Sequence, residues 1–244
     1  MTSTQEKIFA YYKEIRGDFL DVDDERIQHF FCNLLKFRYL QHIEAFRQAR
    51  LLEIGCNKGY MLHALEKFGF TDLTGIDLSE GDLTIARGRT KISRIIRQDL
   101  FEHLSTNCYD VILCKDVMEH IDKSKQEKFV KSIYNSLNPG GVAIIQVPNM
   151  DWFMSNHERY MDFTHEIGYT RESLGDIFRL YFPYKHVNIY PVSYIFQDNL
   201  KRKVIFGFIR PVFIKILRFL FKLLGEGAND TWFEYREIMV VVKK

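Results

Sequence analysis

The stretch that most constrains the fold is LLEIGCNKGY, residues 51–60, in which an apolar run passes through glycines into a helical pattern. Leu51 and Leu52, followed by Ile54, are typical of a short buried parallel strand. The next segment, Tyr60–Phe68, has the apolar spacing of a helix. A strand that turns through glycines into a helix presents backbone N–H groups and a helix N-terminus to a ligand. The stretch therefore predicts an α/β unit with a ligand site after its first strand.

Four residues at alternate positions mark the end of this strand and the turn after it: Glu53, Gly55, Asn57 and Gly59. Glycine permits close backbone approach and positive φ, and asparagine is the next best residue type there. The order E-x-G-x-N-x-G resembles the first motif of the class I methyltransferases that depend on S-adenosyl-L-methionine (SAM), whose usual form has a third glycine in place of Asn57. A dinucleotide fingerprint, G-x-G-x-x-G, is not present here. The resemblance implies that these four residues bind the cofactor SAM.

A second segment is similar to the same superfamily. Leu73–Leu78 has the pattern of a buried strand and contains Asp77 near its end. Asp77 follows Gly55 by about 20 residues, the spacing at which a carboxylate accepts both hydroxyls of a cofactor ribose. The resemblance implies this role for Asp77.

The third strand pattern, Arg94–Arg97, leads to Asp99. At this place the family has an acid that takes the adenine amino group, between apolar residues that sandwich the ring. The resemblance therefore assigns Asp99 to adenine, and Leu78 and Leu100 to the walls of its pocket. A helix cap or a loop acid is the alternative for Asp99.

The fourth strand pattern, Tyr109–Cys114, leads into KDVMEHI, where the family begins its active site. The resemblance implies that Lys115 offers its backbone to the methionine end of the cofactor. It also places Glu119 and His120 near the transferred methyl group. His120 could act on the substrate or could stabilise the loop by hydrogen bonding, and both alternatives stay open.

The fifth strand pattern, Val142–Val147, follows a predicted turn over Asn138–Gly141. An L-x-P-G-G turn before a hydrophobic strand is a further marker of the superfamily. Matching segments in the right order cover about residues 51–149, and their agreement supports the cofactor assignment better than any single motif.

The segment Pro148–Gly168 is rich in aromatic residues and departs from an ordinary crossover helix. Together with the helix pattern after it, it carries D-x-T-H-E-x-x-Y-T-x-E-S-L, which is similar to a group of bacterial methyltransferases that includes enzymes acting on sugars and surface polysaccharides. In that comparison His165 faces the site of methyl transfer, and we expect it to act as general base with His120 as the second candidate. A metal site in this segment would have to use its histidine and carboxylate side chains. Their spacing matches no familiar ligand set, so no metal is expected. Those side chains are His157, Asp162, His165 and Glu166.

The N-terminal 50 residues have helical patterns, one around Ile8–Ile15 and a long one over Glu25–Arg50. In the superfamily such helices cover the cofactor. By resemblance, Arg38 is expected to meet the cofactor's carboxylate, because an arginine fork matches a carboxylate. A solvated arginine on a helix is the alternative.

The last two strand patterns, Lys185–Val192 and Glu234–Lys243, are expected to pair antiparallel, as in this superfamily. The insertion between them is far longer than a hairpin loop needs. Its part over 204–224 is apolar, with Lys215, Arg218 and Lys222 at helical spacing on one stripe. These charges oppose a membrane span. A helix lying on an anionic membrane surface fits better, and packing on the domain or on a second subunit of a homodimer is the alternative.

The formal net charge of +2 gives no nucleic-acid footprint across the whole protein. The cysteines at positions 32, 56, 108 and 114 have no paired or zinc-like spacing. The first residues, MTSTQEKIFAYYKEI, have no apolar core of signal-peptide type. We therefore expect free thiols and a cytoplasmic protein, peripheral on the inner face of the membrane if the insertion binds lipid.

The predicted fold is α/β, a doubly wound Rossmann-like sheet of seven strands with the last one antiparallel. The expected organisation is an N-terminal helical cover (1–50), a SAM-binding catalytic core (51–193), a basic hydrophobic helical insertion (194–233) and the last core strand (234–244). The resemblance implies a SAM-dependent methyltransferase, with a sugar of a lipid-linked or cell-surface polysaccharide as the favoured acceptor. The alternatives are O-methylation of a soluble or prenylated small molecule and a non-catalytic scaffold.

Overall fold

A seven-stranded sheet of order β3-β2-β1-β4-β5-β7-β6 forms the centre of the protein. The computed structural model describes Ile8 and residues 24–195, 200–224 and 231–244. The predicted helix at Ile8–Ile15 lies almost wholly outside the described residues. The strands are β1 (Arg50–Ile54), β2 (Asp72–Asp77), β3 (Arg94–Arg97), β4 (Tyr109–Lys115), β5 (Leu137–Pro148), β6 (Val187–Val192) and β7 (Glu237–Lys243).

All neighbouring pairs from β3 to β5 are parallel, whereas β7 runs antiparallel to both β5 and β6. This arrangement confirms the predicted doubly wound sheet with a reversed last strand. Two hydrophobic cores cover its faces. Ile112 of β4 packs in one core, and Val111 and Leu113 pack in the other, because successive side chains of a strand point to opposite faces. All four cysteines are free, as predicted.

The helices connect the strands and cover both faces of the sheet. They are α1 (Asp24–Leu34), α2 (Leu40–Ile43), α3 (Tyr60–Lys67), α4 (Glu80–Arg89), α5 (Leu100–Thr106), α6 (Gln126–Ser136), α7 (Ser155–Tyr160), α8 (Arg171–Arg179), α9 (Leu200–Val204) and α10 (Arg210–Leu223). The predicted long helix ends at Ile43 rather than at residue 50, and a π-helical turn, Leu35–Tyr39, interrupts it. The turn buries Tyr39, whose hydroxyl donates to Oε1 of Gln146 at 2.6 Å.

The turn predicted at Asn138–Gly141 is an irregularity inside β5. Tyr109 pairs with Leu137 and Val111 with Val142, so the segment between the two pairs forms a bulge. Gly140 provides the positive φ of 80° that the bulge requires. The strand therefore begins five residues earlier than the apolar pattern indicates.

The described part of the insertion is helical and packs back on the chain through arginines. Arg218 forms an ion pair with Glu234 at 2.9 Å and donates to the carbonyl of Thr231. Arg210 donates to the backbone carbonyl of Glu234 at 2.9 Å. Arg218 thus faces the protein rather than joining a solvent-facing basic stripe with Lys215 and Lys222. Within 24–195, 200–224 and 231–244, no helix is long and apolar enough to cross a membrane.

A buried polar network joins the N-terminal helices to the carboxyl edge of the sheet. Gln146 of β5 accepts a hydrogen bond from Tyr39, donates to Tyr194 Oη at 2.9 Å and donates to Glu237. Burial and then the charge of Asp116 raise the pKa of Glu237 from 4.5 to about 7. The folded protein therefore holds this proton at pH values where the unfolded chain releases it.

The raised pKa makes stability depend on pH. The contribution of Glu237 to the free energy of unfolding is fully present below pH 4.5 and is lost as the pH rises through about 7. The loss is on the order of 3 kcal/mol, at 1.36 kcal/mol per pKa unit. We expect Glu237→Gln to flatten the fall in unfolding free energy over this interval, measured by urea titration at several pH values. Glu102→Gln, at an exposed carboxyl, is the control, and an unchanged slope in Glu237→Gln would contradict the assignment.

Candidate cofactor and acceptor site

The turn after β1 has the backbone conformation that the sequence predicts. Gly55, Asn57 and Gly59 have φ of 73°, 46° and 75°. The N–H of Gly55 donates to the carbonyl of Ile76 at 2.9 Å, and Gly59 is the N-cap of α3. A Cβ at Gly55 would collide with the side chain of Val117, which follows β4. The glycine loop is thereby held against the loop that carries the predicted acceptor residues.

Asp77 ends β2 beside this loop. Its Oδ2 accepts the N–H of Asn57 and its Oδ1 accepts the N–H of Ser79, both at 2.9 Å. A carboxylate has about four lone-pair sites, so capacity for two ribose hydroxyls remains. Burial raises the pKa of Asp77, although the backbone hydrogen bonds oppose that shift.

Glu53, two residues before Gly55, is buried in the same corner. Among the residues that the structure describes, its Oε2 has no hydrogen-bond partner. Burial and then the charge of Asp77 raise the pKa of Glu53 well above its usual value. A buried carboxyl oxygen without a partner is costly, and a cationic or hydroxyl-bearing ligand would satisfy it. This corner therefore fits the ribose and amino-acid parts of SAM.

Asp99 is the N-cap of α5, the alternative that the sequence left open. Its Oδ1 accepts the N–H groups of Phe101 and Glu102 at 2.8 and 3.3 Å. Leu78 is exposed, and Leu100 is partly buried against the core. The roles of Asp99, Leu78 and Leu100 at the adenine ring stay predictions.

Arg38 lies in the π-helical turn and is not a solvated arginine. Its Nε donates to the carbonyl of Ser193 at 2.9 Å, and Nη2 donates to the carbonyl of Ile195 at 3.4 Å. Burial lowers the pKa of Arg38. These bonds attach the N-terminal helices to the chain after β6, and the role of Arg38 at the cofactor's carboxylate stays a prediction.

Lys115 at the end of β4 is surrounded by carboxyl groups. Its Nζ contacts Oδ2 of Asp116 and lies 3.9 Å from Oε2 of Glu237. Burial lowers the pKa of Lys115, but the charges of Asp116 and Glu237 outweigh burial and raise it. Asp116 has a positive φ of 53°, a strained conformation for a non-glycine residue that is common at functional sites. The predicted contact of the Lys115 backbone with the cofactor stays untested.

Two histidines meet at this edge, with their ring centroids 4.7 Å apart. The hydroxyl of Thr164 donates to Asp162, so its oxygen accepts the Nδ1–H of His120 at 2.8 Å. Nδ1 of His165 donates to the carbonyl of Glu158 at 2.8 Å. A carbonyl only accepts, so Nδ1 of His165 is the donor, and a neutral imidazole that donates from Nδ1 has its lone pair on Nε2. The structure thus brings together the two histidines that the sequence predicts as catalytic.

Glu119 completes a cluster with these histidines. One donor atom of each of Glu119, His120 and His165 lies within 4.8 Å of the others. Burial and then the charge of Asp116 raise the pKa of Glu119 well above its usual value. Burial and then His165 lower the pKa of His120 to about 4. The sequence located Glu119 near the methyl group but gave it no role, although a Glu-His pair directly after a buried strand is a visible signal.

Relatives and solved structures are similar to this chain. The ubiquinone biosynthesis O-methyltransferases of Rickettsia canadensis and Rickettsia typhi are 27% and 25% identical to it over 160 and 158 residues. Each match covers 61% of this chain and 66% or 63% of the relative, so the chain spans less than two thirds of their length.

Two solved structures share the fold. A SAM-dependent methyltransferase from Archaeoglobus fulgidus has a TM-score of 0.63 and 19% identity, covering 87% of this chain and 94% of that one. The plantazolicin methyltransferase BpumL in complex with SAH has a TM-score of 0.56 and 18% identity, covering 100% and 99%. A family model described as a methyltransferase domain matches residues 24–197. The chain therefore belongs to the methyltransferase domain family.

Proposed function

We propose that this protein transfers the methyl group of SAM to a hydroxyl oxygen of a small-molecule acceptor. The observation that carries the proposal is the pair of imidazoles of His120 and His165, 4.7 Å apart, each hydrogen-bonded through Nδ1 and therefore able to use Nε2. Such nitrogens suit an acceptor whose hydroxyl must lose a proton as its oxygen is methylated. The relatives named for O-methylation in ubiquinone biosynthesis support the same atom type.

We base the proposed acceptor class on these relatives rather than on the sequence motif around His165. Their names support a small molecule, the alternative that the sequence left open, better than a sugar of a surface polysaccharide. The family match supports an enzyme and gives no support to a non-catalytic scaffold. The sugar acceptor remains a secondary proposal that rests on the segment around His165 alone.

One set of residues in this chain would bind the cofactor, and another would bind the acceptor. When bound, SAM supplies a methyl group on a positively charged sulfur. The N–H groups of the glycine loop and the carboxyl groups of Glu53 and Asp77 would hold the cofactor. The edge formed by Glu119, His120 and His165 would orient the acceptor hydroxyl and take part in removing its proton.

Asp77→Ala tests the cofactor site. Each hydrogen bond to a charged group contributes about 1.5–3 kcal/mol, so losing two should weaken SAM binding by about 100-fold or more. Calorimetry with SAM and with its demethylated product measures the change. Asp72→Ala, which removes the acid at the other end of β2, is the control and should bind SAM as the wild type does. Equal affinities of Asp77→Ala and the wild type would exclude Asp77 from the ribose site.

His165→Ala tests the acceptor edge. Positioned general bases contribute about 10²–10⁴-fold, so turnover of a phenolic or other hydroxyl acceptor should fall by that order while SAM affinity is kept. His157→Ala, at an exposed position in the same segment, is the control. If His120→Ala lowers turnover and His165→Ala does not, the two histidines exchange roles.

The exposed face of α10 supports a membrane-associated acceptor. Its outward side chains are large and apolar: Val212, Phe213, Ile216, Phe219, Leu220 and Leu223. Lys215 and Lys222 are exposed on the same helix, and residues 200–224 contain no acidic side chain. An apolar face on a helix whose own charged side chains are all basic complements an anionic lipid surface. We therefore propose that α10 lies on the membrane and gives the enzyme access to a lipophilic acceptor.

Vesicle binding tests this face. Sedimentation with vesicles that contain anionic lipid should retain the protein at low salt and release part of it as salt rises, since each lysine contributes about 1 kcal/mol. Lys215→Glu with Lys222→Glu should abolish retention and leave SAM binding unchanged. The same charge change at Lys123 and Lys131 is the control. If the wild type ignores the vesicles and forms a dimer through this helix, the membrane proposal fails.

A further inference from the structure

The cluster of Glu119, His120 and His165 offers a set of ligands for a cation. Glu119 is only 2% exposed, and its Oε2 has no hydrogen-bond partner within the described part of the chain. One donor atom from the carboxyl group and one from each imidazole lie within 4.8 Å of one another. We propose that these three residues bind a divalent cation of the first transition row.

The distances suit one ion. Two ligands at about 2.1 Å from an ion lie at most about 4.2 Å apart. The donor atoms of the cluster lie within 4.8 Å of one another, so small side-chain rotations bring all three onto one ion. The glutamate and the first histidine are adjacent in a 3-10 turn, Met118–His120, and the second histidine comes from another segment. Three protein ligands leave further coordination positions open, as catalytic metal sites do.

The hydrogen-bond partners of the two histidines also support a cation site. A metal-binding histidine usually donates its other N–H to a carbonyl or carboxylate partner, which fixes the tautomer. His165 donates to the carbonyl of Glu158, and His120 donates to Thr164, which in turn donates to Asp162. Thr164 and Asp162 are buried, so these hydrogen bonds hold the His120 ring in a fixed position. Two imidazoles and one carboxylate suit Mn²⁺, Fe²⁺, Co²⁺ or Zn²⁺ better than Ca²⁺.

The role of the ion rests on the proposed function. A cation at this edge would take the acceptor hydroxyl at an open position and lower its pKa, so that the hydroxyl releases its proton to water. One nitrogen cannot bind a cation and accept a proton at the same time. In the cation-loaded enzyme, His165 is therefore a ligand, and the ion replaces it as the group that activates the hydroxyl.

Cation binding is measured directly on the full chain after dialysis against a chelator. Calorimetry with Co²⁺ and the electron paramagnetic resonance signal of free Mn²⁺ should both report one bound ion. Loss of a hydrogen-bond partner of a metal ligand typically weakens metal binding 10–100-fold, and His120→Ala and His165→Ala should weaken cation binding by more than that. Thr164→Val should weaken it within that range, and His157→Ala is the matched control. SAM affinity, measured for every variant, reports separately on the cofactor site.

Glu119→Gln separates a ligand from a structural residue. If Glu119 is a ligand, Glu119→Gln should abolish the rise in melting temperature that Mn²⁺ gives the wild type. The cation-free variant should melt no lower, because it loses a buried carboxyl oxygen that has no partner. A structural role would instead lower the melting temperature of the cation-free protein.

The outcomes are distinct. Loss of cation binding in the three ligand variants with SAM affinity kept supports the site. If neither Mn²⁺ nor Co²⁺ binds at millimolar concentration, or if binding is the same in His165→Ala as in the wild type, the cation site is overturned. In that case a fall in turnover in His165→Ala restores the histidine as general base. If the wild type does not bind SAM, the proposed function is wrong, whereas the evidence for the cation site is unaffected.

Discussion

The contact between Gly55 and Val117 is the constraint on which the whole site depends. Residue 55 has no side chain, and Val117 occupies the place where its Cβ would lie. Parallel pairing of Ile54 with Cys114 brings the ends of β1 and β4 together, and this contact closes the gap between the loops that follow them. A larger residue at 55 would separate the loops and adopt its positive φ with strain. The absence of one methyl group thus couples the cofactor loop to the acceptor edge.

Three buried carboxyl groups lie at this edge, and burying the charged form of a carboxyl group opposes folding. Burial is the largest cause of the raised pKa of Glu53, Glu119 and Glu237. Titratable groups shifted in this way cluster at functional sites, where a ligand supplies the missing partner. The sulfonium of SAM and the proposed divalent cation are both positively charged, so either would favour the ionised form of these carboxyl groups.

An irregular segment brings the second histidine to the first. Arg159 donates to the backbone carbonyls of His165 and Glu166, and the N–H of Glu166 donates to the carbonyl of Glu119 at 2.8 Å. These bonds hold a loop without regular secondary structure against the 3-10 turn Met118–His120, which follows β4. The position of His165 therefore depends on hydrogen bonds to backbone carbonyls, which the pattern of side chains does not reveal.

The sequence by itself determined the fold, because strands buried on both faces must be apolar and glycines must mark the turn after β1. It also identified the cofactor and placed both histidines among the candidate catalytic residues. Only the tertiary structure decided which groups meet. It made Asp99 the N-cap of α5 and turned Arg218 toward Glu234. It also placed the bulge inside β5 and brought Glu119 into one cluster with the two histidines. The contacts of Arg218 with Glu234, of β5 with β4 and of His165 with His120 join residues distant in sequence, and residue spacing does not reveal them.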